Sequence, residues 1–117
     1  MKSTSREDIF RLHARFCRAL GDANRLLIIV ALHERPRTVN ELAAAIGASQ
    51  SLTSRHLGVL RDKGLVIAQR EGAFVRYELS DRRIFAAIEM LLDVLATQLG
   101  PRVKRSAVAR LRPARAS

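Results

Sequence analysis

One cysteine, no tryptophan, one tyrosine and three prolines occur in 117 residues. A single cysteine excludes an intramolecular disulfide framework and any two-thiol redox pair within one chain, and it fits a reducing cytoplasm. Four phenylalanines and one tyrosine are too few for a platform on which successive bases stack, which weakens single-strand and RNA-recognition readings. No apolar run has the length needed to cross a bilayer. The short run Leu26–Leu32 is expected to be a buried helix instead. No secretory signal is expected, so the chain is read as cytoplasmic and without a membrane partner. Acidic residues are scarce as well: 11 Asp and Glu stand against 21 Lys and Arg, a formal net charge of +10. That imbalance points to a polyanionic partner, nucleic acid first and an anionic membrane surface second.

What is present suffices for one folded domain. Hydrophobic residues make up 48% of the chain, and at this length folding buries roughly two-thirds of the unfolded surface. The charge is uneven. From Gly100 to Ser117 stand Arg102, Lys104, Arg105, Arg110, Arg112 and Arg115 with no acid, while the preceding residues hold the other 15 basic residues and all 11 acidic ones. The expected organisation is a domain over 1–99 and a basic, flexible extension over 100–117 that either touches phosphates or simply aids solubility.

Periodicity predicts a mainly α domain with a small β-hairpin. Ile9, Leu12, Phe16 and Leu20 recur at helical spacing over Arg6–Leu20. Gly21-Asp22 breaks that helix, and Asp22 can cap a second, nearly all-apolar one reaching His33. Thr38 and Glu41 have the spacing of a capping box, which starts a short third helix, Val39 to Ile46. Gly47-Ala48 makes the turn and Ser49 caps a fourth helix.

The fourth helix, Ser49 to Leu65, is amphipathic in an unusual way. Thr53, Leu57 and Leu60 share one arc, while Gln50, Ser51, Ser54, Arg55 and Arg61 occupy the opposite one. Short hydrogen-bonding side chains with arginine are the groups that read base edges and hold phosphates in a major groove. A solvated face would more often carry Glu and Lys. Helix, short turn and capped helix with such a face is the helix-turn-helix pattern. After Gly64 the period changes. Leu65–Arg70 and Phe74–Leu79, separated by Glu71-Gly72-Ala73, read as a hairpin, or wing. Arg70 and Arg76 are expected to flank its tip and meet phosphate or the minor groove. A last helix, capped by Ser80 or Asp81, runs to about Leu99 with Ile84, Phe85, Ile88, Leu91, Leu92, Val94, Leu95 and Leu99 over half its circumference. That arc is wider than one small domain needs, as is the apolar face of the first helix, and it predicts a self-complementary dimer interface. The interface candidates are Ile9, Leu12, Phe16, Ile88, Leu91, Leu92 and Leu95.

The segments Ala19-Leu20-Gly21-Asp22-Ala23-Asn24-Arg25, Glu41-Leu42-Ala43, Ser49-Gln50-Ser51, Ser54-Arg55-His56-Leu57, Val59-Leu60, Lys63-Gly64-Leu65-Val66 and Arg76-Tyr77 resemble, in order and spacing, the ArsR/SmtB family of small winged-helix bacterial repressors. The resemblance covers about Phe10 to Leu95. It implies a homodimer built from the first and last helices, double-stranded operator DNA as partner, the fourth helix in the major groove, and release by an inducer. The DNA-contact candidates are therefore Gln50, Ser51, Ser54, Arg55, His56, Arg61, Arg70 and Arg76. Of these, His56 lies at the edge of the apolar arc, where a structural hydrogen bond is favoured over a base contact. Gly58 departs from the family, which often carries a longer polar residue there.

Members of that family sense metals at two kinds of site, and the residues for both are missing. The start of the third helix reads Val39-Asn40-Glu41-Leu42-Ala43 without cysteine, and the last helix region has Asp81 and Glu89 but no histidine follows His56. Borderline and thiophilic metals need imidazole or thiolate, so no metal or cofactor is expected and the inducer is left open. His13 and Cys17 stand one helical turn apart and form an alternative thiol or metal switch between subunits. Against that stands an inert, buried thiol. Two other function classes compete with an operator-specific repressor: a sequence-neutral DNA-organising protein driven by the basic extension, and a winged helix that binds protein. No arrangement of nucleophile, base and acid suggests an enzyme.

Overall fold

A computed structural model describes residues 5–100; the basic extension proposed for 100–117 lies outside the described residues except for Gly100. The helices begin where local side chains can satisfy their free amides. Ser5 and Asp8 form a reciprocal box at the start of α1 (Arg6–Ala19). Asp22 accepts the Arg25 amide at 3.1 Å to cap α2 (Ala23–Glu34). Thr38 and Glu41 exchange hydrogen bonds of 3.3 and 3.0 Å at the start of α3 (Val39–Ile46). Gly47, at φ 70°, ends α3 in the left-handed region that glycine adopts without a Cβ clash. Ser49 then accepts the Leu52 amide at 3.1 Å to open α4 (Gln50–Asp62).

The sheet has three strands rather than the two of the expected hairpin. A two-residue strand, β1 (Arg37–Thr38), pairs antiparallel with β3 (Phe74–Leu79), which also pairs with β2 (Val66–Glu71), giving the order β1-β3-β2. Two residues carry no periodicity, so β1 has no local signal. The wing turn is only Gly72-Ala73, because Glu71 pairs with Phe74. Gly72 at φ 60° supplies the positive φ that the first position of a II′ hairpin turn demands. Register sets the faces: Val66, Ala68 and Arg70 stand opposite Leu79, Tyr77 and Val75, and the apolar members of that set turn toward the helices.

Between sheet and helices lies one core. Ile28 and Ile29 of α2, Leu42 of α3, Leu57 and Leu60 of α4, and Leu65 and Val66 at the start of the wing are all essentially inaccessible. The last helix, α5 (Arg83–Leu99), adds Ile88 to it. Its expected cap is corrected. Ser80 instead donates to the carbonyl oxygens of Gly64 and Leu65 at 2.7 and 3.1 Å, tying the end of the wing to its beginning. Asp81 accepts the Arg83 amide at 2.8 Å and pairs with its guanidinium at 2.7 Å, while α5 itself starts without a side-chain cap. The Arg83 hydrogen bonds hold the Asp81 carboxyl well down, at about 2.

Candidate nucleic-acid interface

α4 is buried on one side and bare on the other. Thr53, Leu57 and Leu60 are fully inside, and the Thr53 hydroxyl donates to the Ser49 carbonyl at 2.8 Å, so its burial leaves no polar group unpaired. Gln50, Ser51, Ser54, Arg55, Gly58 and Arg61 are exposed. No acidic residue occupies the first turn. Among the described residues neither Arg55 nor Arg61 forms an ion pair. The result is a ridge of donors and acceptors on a rigid helix, with its cations free to meet an anion. At Gly58 an added Cβ would meet nothing within 4 Å, and its φ is not positive; nothing inside the protomer calls for glycine there.

Two of the residues proposed for DNA contact are engaged inside the protomer, His56 in the structural hydrogen bond favoured for it and Arg76 away from its expected place. His56 is only 8% exposed and turned inward. Arg25 Nη1 donates to its Nδ1 at 3.2 Å, and Asp22 Oδ1 stands 3.8 Å from its Nε2. Arg76 is not at the wing tip. It lies in the central strand opposite Gln69 and Thr38, paired with Glu71 at 2.8 Å and within 3.9 Å of Glu41. Its charge is thus already answered inside the protein. Arg70, one step nearer the turn opposite Val75, is exposed and without an ion pair among the described residues. The Glu41 carboxyl lies below its ordinary range, first because the Thr38 amide donates to it and then because Arg35 does. It therefore serves as helix box and anion for Arg76 together.

Sequence reasoning assigned no role to Arg25. Its guanidinium reaches the Ala19 carbonyl through Nε, the Arg18 carbonyl at 3.4 Å through Nη2, and His56 through Nη1. Asp22, which accepts the Arg25 amide, has its carboxyl lowered mainly by that hydrogen bond and further by the Arg25 charge. The partners are 31 positions apart, beyond the reach of any periodicity.

The apolar faces of α1 and α5 are bare in the protomer. Only Ala19 of α1 is buried, and Ile9, Phe10, Leu12 and Phe16 are 43–59% exposed. On α5, Met90, Leu91, Val94, Leu95 and Leu99 are 44–70% exposed. One interface candidate is corrected: Ile88 is 5% exposed and belongs to the core, while Leu92 is half-buried against it. Both lie where α5 rests against α2 along one edge of its apolar arc. Between α1 and α5 runs a largely apolar groove of about 810 Å³, lined by Phe16, Leu20, Leu65, Ile84, Ile88 and Leu91. His13 and Cys17 open onto it with Sγ and Nε2 3.4 Å apart, and the thiol is exposed in the protomer rather than buried. Among the described residues no three His, Cys, Asp or Glu side chains gather as a metal site would require, and no helix is long and apolar enough to cross a membrane.

Helix-turn-helix, three-stranded wing and flanking long helices define a winged helix-turn-helix, DNA-binding transcriptional regulator. A sequence model described as bacterial regulatory protein, arsR family, matches residues 22–68. The chain is 43% identical over 82 residues to the HTH-type transcriptional regulator CmtR of Mycobacterium tuberculosis, covering 70% of each chain. It is 37% identical over 79 residues to the HTH-type transcriptional repressor SmtB of the same organism, covering 68% of this chain and 56% of that one. Among solved structures it resembles the homodimeric winged helix-turn-helix DNA-binding domain of a possible ArsR-family regulator from Mycobacterium bovis. There the TM-score is 0.73 and the identity 30%, over 82% of this chain and 93% of that one. The protein belongs to the ArsR family of bacterial regulators, a family of transcription factors rather than enzymes.

Proposed function

We propose that the protein is a homodimeric repressor that binds an imperfect palindromic operator, with α4 of each protomer in the major groove and the wing against backbone or minor groove. The observation that carries this reading is the exposed ridge Gln50, Ser51, Ser54, Arg55 and Arg61 on a helix whose other side is locked in the core. The unpartnered faces of α1 and α5 support the dimer, as does the homodimeric state named for the M. bovis domain. SmtB, a relative, is named a repressor. Two α4 helices related by a dyad would meet half-sites roughly 34 Å apart, one duplex turn. Gln50, Ser51, Ser54 and Arg55 are assigned to bases and adjoining backbone, Arg61 and Arg70 to phosphate. Release at either familiar family metal site is not part of this reading, because the chain lacks cysteine in α3 and histidine in α5. Working on chromosomal DNA, the protein would reside in the cytoplasm.

Fluorescence anisotropy with duplexes from the gene's own upstream region and a scrambled control tests it. A preference of about a thousandfold or more is expected. If the dimer neutralises about eight phosphates, log K falls with log salt at a slope near −7. Equal affinity for every duplex, lost when residues 101–117 are removed, would favour a sequence-neutral DNA-organising protein instead.

Gly58 allows a second check. Gly58→Ala should stabilise the protein by roughly 0.5–1 kcal/mol in urea unfolding, since the site is an exposed helix interior with room for a methyl. The same methyl stands where backbone and DNA would meet, so operator affinity should fall by about 1 kcal/mol or more, the scale of one spoiled contact. A stabilised variant with unchanged affinity would show that α4 does not approach DNA along this line.

A further inference from the structure

We infer that Arg25 is a positioning residue that sets the orientation of α4 relative to α1, with His56 as its grip on α4. The inference rests on the reading above, in which α1 helps to join the protomers and α4 reads DNA.

Most of α4's attachment to the domain is apolar contact through Leu57 and Leu60, and such contact is non-directional. It resists separation of the helices far more than a small rotation or slide. Among the described residues, one side-chain hydrogen bond joins α4 to another helix, and it runs from Arg25 to His56. The donor is well suited to hold an angle. A guanidinium is planar, with its N–H groups in a fixed fork. One arm of that fork is spent on the Ala19 carbonyl and another, at 3.4 Å, on that of Arg18, which also accepts the Gly21 amide; both lie at the C-terminal end of α1. The remaining arm holds His56. The base of the side chain is set by Asp22, which accepts the Arg25 amide. One rigid group is therefore bonded at once to the end of α1 and to the buried side of α4. In a dimer joined through α1, the mutual angle of the two α4 helices depends on this link. Base readout tolerates errors of only about 10–20° in the presenting element.

The geometry fixes the tautomer. Arg25 can only donate, so His56 Nδ1 must accept, and the ring proton sits on Nε2 toward the Asp22 carboxylate.

Full-length wild-type protein, Arg25→Lys, His56→Leu and His56→Asn carry the test. Long-range ¹⁵N–¹H NMR at neutral pH should find the Nε2–H tautomer at His56. Arg25→Lys keeps the charge without the fork, and His56→Leu keeps bulk without the acceptor. Both should remain dimers in sedimentation and keep their affinity for a scrambled duplex and their salt slope. Each should lose at least about tenfold in operator preference, the cost of one mismatched base pair or more. His56→Asn, whose carbonyl oxygen comes near the position of Nδ1, should recover most of the loss. An Nδ1–H tautomer, or unchanged operator preference in the variant dimers, would overturn the inference. So would an equal loss of affinity for operator and scrambled duplex in Arg25→Lys, which marks a backbone contact that carries no sequence information. Should His56→Leu not fold, Arg25→Lys and the tautomer decide the matter. Wild-type protein without operator preference would instead sink the reading of α4, and the tautomer would still decide whether the clamp exists.

Discussion

Arg55→Ala is expected to weaken operator binding by about 1–3 kcal/mol per protomer, roughly fivefold to over a hundredfold, with little change in thermal stability. Arg55 is exposed at the centre of the α4 ridge and makes no ion pair among the described residues, so its loss costs the fold nothing that can be named. The pattern of the loss says which contact it makes. A base contact would relax sequence preference at one position of each half-site. A phosphate contact would lower affinity for all duplexes alike and reduce the salt slope by about one per protomer. Arg76→Ala is the comparison. Its guanidinium already faces Glu71 and Glu41, so its removal should change affinity far less. Titration by anisotropy at several salt concentrations measures all of this, and an Arg55→Ala protein that binds operator normally would remove α4 from the groove.

Leu91→Glu should convert the protein to monomers and reduce operator affinity by about a hundredfold to ten-thousandfold, the scale of avidity lost when two linked half-sites bind separately. Leu91 is 70% exposed in the protomer, so a carboxylate there meets water and the domain should keep its helical content. In a dimer two such charges would be driven into the apolar contact between protomers, where unpaired charge is costly. Sedimentation at micromolar concentration reads the assembly, and circular dichroism reads the fold. A dimer that persists with normal operator binding would move the interface off α5. Ile88 gives the contrast. It belongs to the core, so a charge at Ile88 should unfold the domain rather than split a dimer.

The helices were legible because their boundaries are set by neighbours in sequence. Thr38 and Glu41 satisfy each other's amides three residues apart, and Gly47 and Gly64 stand where the backbone turns left-handed. The inside and outside of α4 followed from 100° steps alone, since Thr53, Leu57 and Leu60 are buried and the polar set is exposed. The wing's position was also legible, though its turn is one residue shorter than expected. The last helix was harder to read. An apolar arc covering half a helix does not say where the boundary between the domain's own core and a second surface falls. Ile88 proved to be inside and Leu91 outside, three residues away on the same arc.

By itself the sequence determined the elements, the caps, the polar ridge of α4 and the family, because each rests on residues close along the chain or on their order. Tertiary structure alone decided the rest. Strand β1 exists only because β3 offers an edge to two otherwise unmarked residues. Arg76 is neutralised because register and packing bring Glu71 and Glu41 to it. His56 is held by Arg25 across 31 positions. In each case the partner is fixed by how separate elements pack, and packing depends on directions in space that no local spacing encodes.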